Sequence, residues 1–379
     1  MLTGVLMSAL LLPTSDPAVA ESAEAEGRDI NSVTQRYMAG QERDVFGGLY
    51  LDDAAGGVMT VLVTCDRAVH EAALRRLVAN PDRLRVVKAK HSEDELLAAQ
   101  DRIAAAENEL SALGVAPTLT SVDVVGNRVT VGVPGAAAAA KSALARVVPL
   151  SMLHIEDGVR LDLAVCASGL ECSTDSPPFD GGTDIESFDT ELGAVQFCTL
   201  GFVGRSSAGG AVSVLSAGHC GPTSSTWVQQ TTPIGQVNRN VFTGTTSADA
   251  MAIPVSALVA RGQVKGSKGA YQTITGHERA SEDYVGRATC AYGIRTKYRC
   301  GKIVSKTARV KLGGVTLTNQ RIASRPCGPG DSGSPNYYRN RAQGITSFSV
   351  TRSDGKVYCG YSHISNVLSK LGLTSVASR

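Results

Sequence analysis

Gly328-Pro329-Gly330-Asp331-Ser332-Gly333-Ser334-Pro335 sets one serine among small residues, directly after an acid and a glycine. A serine hydroxyl is a weak nucleophile near neutral pH and needs a base beside it. It also needs donors aimed at the oxyanion that its attack creates. The glycines permit a tight turn in which the backbone N–H groups of Gly330 and Ser332 converge on one point. Taken alone, a G-D-S-G tetrapeptide is also what an ordinary surface turn looks like, so the rest of the chain has to decide.

Two further stretches bear on it. Val214-Leu215-Ser216-Ala217-Gly218-His219-Cys220 places a histidine after an apolar strand and next to a cysteine. Ser247-Ala248-Asp249-Ala250-Met251-Ala252-Ile253 places an acid at the mouth of another apolar strand. A lone histidine is more often structural than catalytic, and a lone aspartate before a strand is usually a turn residue. Together the three stretches run His, Asp, Ser, the chain order of the chymotrypsin triad. A lipase or esterase would instead want a G-x-S-x-G elbow and the order Ser, Asp, His; both are missing from this sequence.

Residues from about 181 to 379 resemble the chymotrypsin-fold serine proteases, in the bacterial branch of the streptogrisins and α-lytic protease. The residues that carry the resemblance are Cys198-Thr199-Leu200-Gly201-Phe202, Ser216-Ala217-Gly218-His219-Cys220, Asp249-Ala250-Met251-Ala252, the Cys290 to Cys300 spacing and Gly330-Asp331-Ser332-Gly333. Residues from about 30 to 165 resemble, more loosely, the pro-domain of that branch. The resemblance implies an all-β protease domain over 184–379, two six-stranded antiparallel β-barrels with the site between them, preceded by an α+β pro-domain over 21–165. His219 and Asp249 would come from the first barrel and Ser332 from the second. It implies Ser332 as nucleophile, His219 as general base and acid, Asp249 as the group that orients the imidazole, and the Gly330 and Ser332 N–H groups as the oxyanion hole. Ser347 matches the serine that supports the catalytic acid and begins the strand on which substrate backbone pairs. The implied disulfides are Cys198–Cys220, Cys290–Cys300 and Cys327–Cys359.

Composition agrees with a soluble globular protein of 379 residues, long enough for two domains. The net charge of +2 hides an asymmetry. Residues 1–180 hold 15 Lys/Arg and 25 Asp/Glu, a balance of −10, while residues 181–379 hold 22 and 10, a balance of +12. Opposite charges suggest that the halves attract one another. The basic residues are scattered and no nucleic-acid motif accompanies them, which disfavours a nucleic-acid partner. Nine cysteines point to an oxidising compartment. The six after residue 190 allow 15 pairings by sequence alone. Cys166 and Cys172 are near enough to close a small loop, which leaves Cys65 odd. No C-x2-C or clustered Cys/His spacing suggests zinc, and the chemistry asks for no metal or cofactor.

Along the chain, residues 2–12 are mostly apolar and Ala18-Val19-Ala20 is an A-x-A cleavage pattern, which reads as a secretory signal over 1–20. No Lys or Arg stands among the first residues, so the start lies further upstream or the signal is atypical. The apolar run is too short to span a membrane. Residues 21–44 read as a short helix or flexible lead. Leu49-Tyr50-Leu51, Gly56-Gly57 and Val58 to Thr64 read as strand, turn, strand, as do 122–131 around Gly126-Asn127. Apolar spacing predicts helices over 66–79, 92–113 and 136–147. Residues 166–183, rich in Ser and Pro from Ser173 to Pro178, form a linker with a processing region. Beyond it, short strand-like runs recur up to 356–363, and a helix closes the chain at 362–371.

Several positions depart from the branch. GDSGG is here Gly330-Asp331-Ser332-Gly333-Ser334. Cys327 stands one residue nearer the serine than usual. Ala291 replaces an arginine that can neutralise the buried acid matching Asp331, so Arg295, Arg287 or a backbone nest has to serve. Phe348 and Ser349 stand where two glycines are common, as an aromatic floor and a narrowed mouth of the substrate pocket. Arg325 and Pro326 stand at the pocket wall where a trypsin-like enzyme has an acid. With Pro329 beside the oxyanion glycine, these positions point to cleavage after apolar or aromatic residues; Arg325 or Arg352 would instead favour an acidic side chain. The expected whole is a secreted serine endopeptidase made as a zymogen. It acts on protein or peptide substrates, with its own pro-domain as intramolecular chaperone and inhibitor, and is monomeric after processing. The competing class is a catalytically inactive, protease-like binding module.

Overall fold

In the first half, alternating and helical apolar spacing follow one another twice. Strands Phe46–Asp52 and Val58–Val63 pair antiparallel, helix Arg67–Leu77 follows, and Leu84–Lys88 returns parallel to Val58–Val63. The same order recurs: Leu119–Asp123 and Arg128–Gly132 pair antiparallel, helix Ala137–Leu144 follows, and Leu153–Glu156 returns parallel to Arg128–Gly132. A parallel return requires a crossover, which each helix supplies. The units are linked by helix Glu93–Ala105, whose start is a reciprocal cap: Ser92 Oγ accepts from the Glu95 N–H and Glu95 Oε2 from the Ser92 N–H. Its Leu96, Ala99 and Ile103 pack with Val122, Val129 and Val131 of the second unit. Of the stretch 21–44 expected as a short helix or flexible lead, residues 21–39 belong to one helix, Pro17–Ala39, and 42–44 to a turn. Ile30, Val33 and Tyr37 share one of its faces and pack on Phe46, Val61 and Leu74.

The computed structural model describes residues 17–39, 42–163, 178–189, 194–206, 212–257 and 259–376. Most of the expected signal, Cys166, Cys172 and most of the expected linker lie outside the described residues.

The second half is strand-rich. Ala194–Thr199 and Asp184–Asp189 form one sheet with Thr226–Gln229 and Thr232–Gln236. A second sheet has Val212–Ser216 between Met251–Val255 and Val203–Arg205. A third and larger one runs through Val315–Ala323, Val357–His363, Arg341–Thr351, Pro335–Tyr338, Ala288–Gly293 and Lys297–Leu312. Helix Ile364–Leu371 buries Ile364, Val367, Leu368 and Leu371 and ends at Gly372 in the left-handed conformation. Cys198–Cys220, Cys290–Cys300 and Cys327–Cys359 are disulfides, and Cys65 is free and exposed.

The two halves share a sheet. Arg309 and Val310 of the 16-residue strand Lys297–Leu312 pair with Thr120 and Leu119. Lysines of that strand reach acids of the first half: Lys302 to Asp53, Lys306 to Glu93 at 3.0 Å and Lys311 to Glu107 at 2.5 Å. Arg352 lies 3.5 Å from Glu156 and over the Tyr358 ring. Segment 284–286 is a further contact, with Tyr284 in the core under the first helix and Gly286 against Leu51. The charge asymmetry is thus expressed in cation–carboxylate pairs between the halves.

Candidate active site

Strand pairing brings His219 and Asp249 to the same end of one sheet. Ser216 is opposite Met251, so His219 lies just beyond one strand and Asp249 just before its neighbour. His219 sits in the short turn Gly218–Cys220, which Cys220 ties to Cys198. Asn240 donates to the carbonyls of Gly218 at 2.7 Å and Gly221 at 2.6 Å, which fixes that turn from below. The Asp249 carboxylate accepts the His219 backbone N–H at Oδ1, 2.9 Å, and lies 2.5 Å from His219 Nδ1 through Oδ2. Ser347 Oγ donates to the same Oδ2 at 2.5 Å. The Asp249 N–H is held by Ser362 Oγ at 2.8 Å, and Ser362 in turn donates to Gln320. The other ring nitrogen, His219 Nε2, lies 2.6 Å from Ser332 Oγ. Phe242 presents to the imidazole an edge contact with a centroid distance of 5.7 Å. Asp249 and Ser332 are buried, as is the His219 side chain.

Ser332 comes from the other sheet, in the loop between Val315–Ala323 and Pro335–Tyr338. Gly330 and Gly333 both have left-handed backbone, with φ of +101° and +89°. At Gly333 a Cβ would stand 2.0 Å from Ser216 Oγ and 2.1 Å from the Thr199 carbonyl, so no larger residue closes this turn against the first sheets. The Thr199 N–H donates to the Ser332 carbonyl and Thr199 Oγ1 to the Gly330 carbonyl, each at 2.7 Å. The N–H groups of Asp331 and Gly333 are spent on Gly328 and Thr346. Among the described residues no acceptor takes the N–H groups of Gly330 and Ser332. Two free donors beside the serine are what an oxyanion requires.

Asp331 is fully buried and meets backbone rather than a side-chain cation. Its Oδ1 accepts from the Arg295 and Thr296 N–H groups at 2.9 and 3.0 Å, and its Oδ2 from the Gly328 N–H at 3.0 Å. Three amide donors stabilise a carboxylate where the branch's arginine is replaced by Ala291. Gly293 leaves the room, because a Cβ there would stand 2.0 Å from Asp331 Oδ1. Arg287 is engaged elsewhere, with Glu278 at 2.5 and 2.8 Å.

The expected substrate-binding residues are less uniform. Pro329 is exposed and Ser349 is 7% exposed. Phe348 is buried; its ring lies over Gly360, and it belongs to an apolar cluster with Val350 that Leu161 and Leu163 join from the first half. Arg352 faces Glu156 instead of the serine. Arg325, read from sequence as pocket wall, is a buried guanidinium. It donates to Asn336 Oδ1 and, at 2.9 Å, to Thr346 Oγ1. Burial alone pulls its pKa down to about 10, against the pull of Asp331. The strand expected to pair with substrate already has a partner: Arg160–Leu163 runs antiparallel to it, with Leu163 opposite Phe348 and Asp162 opposite Ser349. Among the described residues no cluster of His, Cys, Asp and Glu is arranged to hold a metal ion, and no helix is long and apolar enough to cross a membrane.

A mostly β chain with this arrangement around one serine is of the serine-hydrolase type. No family model matches it. Curated relatives do. The chain is 34% identical over 152 residues to Serine protease 2 of Streptomyces fradiae, covering 40% of this chain and 85% of that protein. It is 30% identical over 181 residues to Streptogrisin-A of Streptomyces griseus, covering 47% of this chain and 56% of that protein. Among solved structures, Thermobifida fusca protease A is 26% identical and matches 52% of this chain and 98% of its own, with a TM-score of 0.44. The chain belongs to the bacterial chymotrypsin-fold serine proteases of the streptogrisin branch. It is a serine endopeptidase, of a family that acts on proteins and peptides.

Proposed function

We propose that the chain is the zymogen of a secreted endopeptidase, in which Ser332, His219 and Asp249 form the catalytic triad. The observation that carries this reading is the His219 imidazole, with Asp249 at one nitrogen and Ser332 Oγ at the other. Ser332 Oγ attacks the scissile carbonyl carbon while His219 Nε2 takes its proton. Asp249 keeps the Nδ1 proton in place and stabilises the imidazolium. The oxyanion is received by the Gly330 and Ser332 N–H groups, an effect worth roughly 3 kcal/mol per donor. His219 then protonates the leaving amine, and water releases the acyl group by the reverse sequence. Residues 184–379 form the protease domain, its sheets read as two barrels meeting at this site.

Residues 21–165 act as pro-domain. The shared sheet, the lysine–carboxylate pairs and the Arg160–Leu163 strand on the substrate edge support its role as chaperone and inhibitor. A substrate backbone cannot add to an edge that already has a partner. Cleavage within 166–183 would free that edge, and the released enzyme acts as a monomer outside the cell.

The test is to express the whole chain in an oxidising host, with a Ser332→Ala version, and follow chain length by intact mass. Self-processing predicts a product of roughly 20 kDa, the size of a small domain, from the parent and none from Ser332→Ala. Two uncut chains without peptidase activity would move the reading to a protease-like binding module.

A further inference from the structure

Arg325 is buried to 1% exposure, and among the described residues it has no carboxylate within ion-pair distance. Asp331, the acid whose charge acts on it, gives its oxygens to three backbone amides. Burying a guanidinium without a paired anion is costly. The side chain is nonetheless held in a defined place. Its Nη2 donates both to Thr346 Oγ1, one residue before Ser347, and to Asn336 Oδ1, four residues after Ser332. Asn336 Nδ2 and Ser334 Oγ also reach Thr346 Oγ1, at 2.9 and 2.7 Å. The guanidinium is therefore built into both segments that frame the serine. Side chains of consecutive strand residues point to opposite faces. Ser347 turns toward Asp249, so Thr346 and Arg325 occupy the other face of that strand. Among the described residues, two buried polar atoms in this cluster have no hydrogen-bond partner: Arg325 Nε and the hydroxyl of Tyr361, which lies opposite Thr346 in the next strand. Both are able to donate. A fixed cation with spare donors and no resident anion is a receptor for a carboxylate.

We infer that Arg325, with Tyr361, recognises an acidic side chain on the residue whose carbonyl is cleaved, so that the enzyme cuts after glutamate or aspartate. This rests on the serine-peptidase reading above and replaces the apolar preference expected from sequence. Burial of the guanidinium supplies the discrimination. A neutral side chain of the same shape leaves the guanidinium uncompensated, and sites built to bond a group reject its isostere strongly.

The experiment uses the processed enzyme from whole-chain expression and peptides that differ only at that residue: Glu, Gln, Asp, Phe and Leu. A fluorophosphonate probe reports Ser332 reactivity independently. The expected result is a kcat/KM for Glu exceeding that for Gln by about 30-fold or more, the scale set by leaving one buried polar group without its partner. Arg325→Met is expected to lower the Glu-to-Phe ratio by on the order of 100-fold. The inference is overturned, and the peptidase reading kept, if the enzyme reacts with fluorophosphonate but cuts Gln as well as Glu, or cuts best after Phe or Leu. It is overturned too if Arg325→Met keeps the Glu preference, which would make Arg325 only a counter-charge for Asp331. Should Arg325→Met fail to fold, the Glu/Gln ratio of the parent decides. No probe reaction and no cleavage would overturn the peptidase reading, and this inference with it.

Discussion

Ser347 Oγ and His219 Nδ1 meet one and the same oxygen of Asp249, each at 2.5 Å, while the second oxygen of that carboxylate is occupied by the His219 backbone. The carboxylate is thus held on both sides, and its direction is set before substrate arrives. Removing the serine hydroxyl leaves the charge but frees its orientation. Ser347→Ala is expected to lower kcat by about 10-fold, equivalent to roughly 1.4 kcal/mol, with KM nearly unchanged. Steady-state kinetics on a peptide substrate checks this. A purely structural role for Ser347 would instead reduce the amount of folded enzyme and leave kcat per titrated site unaltered.

Asp249→Asn keeps the shape of the site but offers an amide in place of the acceptor at Nδ1. The imidazole is then stabilised in the wrong tautomer, and kcat is expected to fall by about 10⁴-fold. Self-processing of the whole chain should slow in parallel, read by intact mass over time.

Lys306 and Glu93 form the most buried of the cation–carboxylate pairs between the halves, with side-chain exposures of 25% and 4%. Among the described residues the second Glu93 oxygen has no hydrogen-bond partner. Lys306→Ala would leave a buried charge uncompensated, at a cost of about 3 kcal/mol. In a Ser332→Ala background, where the chain stays whole, the urea midpoint should fall, and adding Glu93→Gln should restore most of the loss. Restoration that fails to appear would locate the effect in lost packing of the lysine stem.

His363 is buried at the head of the last helix, where its Nδ1 accepts the Ser365 N–H, and burial lowers its pKa from 6.5 to about 4. Between those values the unfolded chain binds a proton that the folded one refuses. The unfolded state therefore gains as pH falls, and the contribution is complete above pH 6.5 and lost progressively toward pH 4. The span corresponds to on the order of 3 kcal/mol. Asp180 acts oppositely: burial raises its pKa from 3.8 to about 6, so its folded-state penalty grows as pH rises through that interval. The measurement is consequently a comparison of His363→Gln with the parent at each pH. The parent's advantage should shrink as pH drops from 6.5 to 4 and stay level above 6.5.

Much of this architecture is legible locally. The hairpin around Gly56-Gly57 and the long apolar runs of the second half lie where their spacing puts them, and the helix expected over 92–113 is there but broken at Ala106 into Glu93–Ala105 and Glu107–Ala112. His219, Asp249 and Ser332 are readable because each is flanked by residues its turn demands. Other features depend on partners far away in sequence. Arg160–Leu163 alternates polar and apolar residues as a strand does, but nothing in that pattern says that Arg341–Thr351 receives it. Pro335–Tyr338 begins with a proline and is a strand through its two neighbours. The neutralisation of Asp331 is invisible in sequence because its donors are backbone N–H groups, which any residue provides. Arg325 is legible as a charge near the site; its burial follows only from Asn336 and Thr346.

On the zymogen reading proposed above, the strand Lys297–Leu312 would take on a second role once the first half is cut away. Removing Leu119–Asp123 uncovers the backbone groups around Arg309 and Val310, an open rim onto which another chain could add. Lys306, Arg309 and Lys311 stand along that rim, and positive charge on an exposed strand is the usual deterrent to edge-to-edge pairing. The lysines that pair with the acidic half while the chain is whole would then repel copies of the enzyme from one another, so that one set of charges would serve first for cohesion and afterwards for solubility.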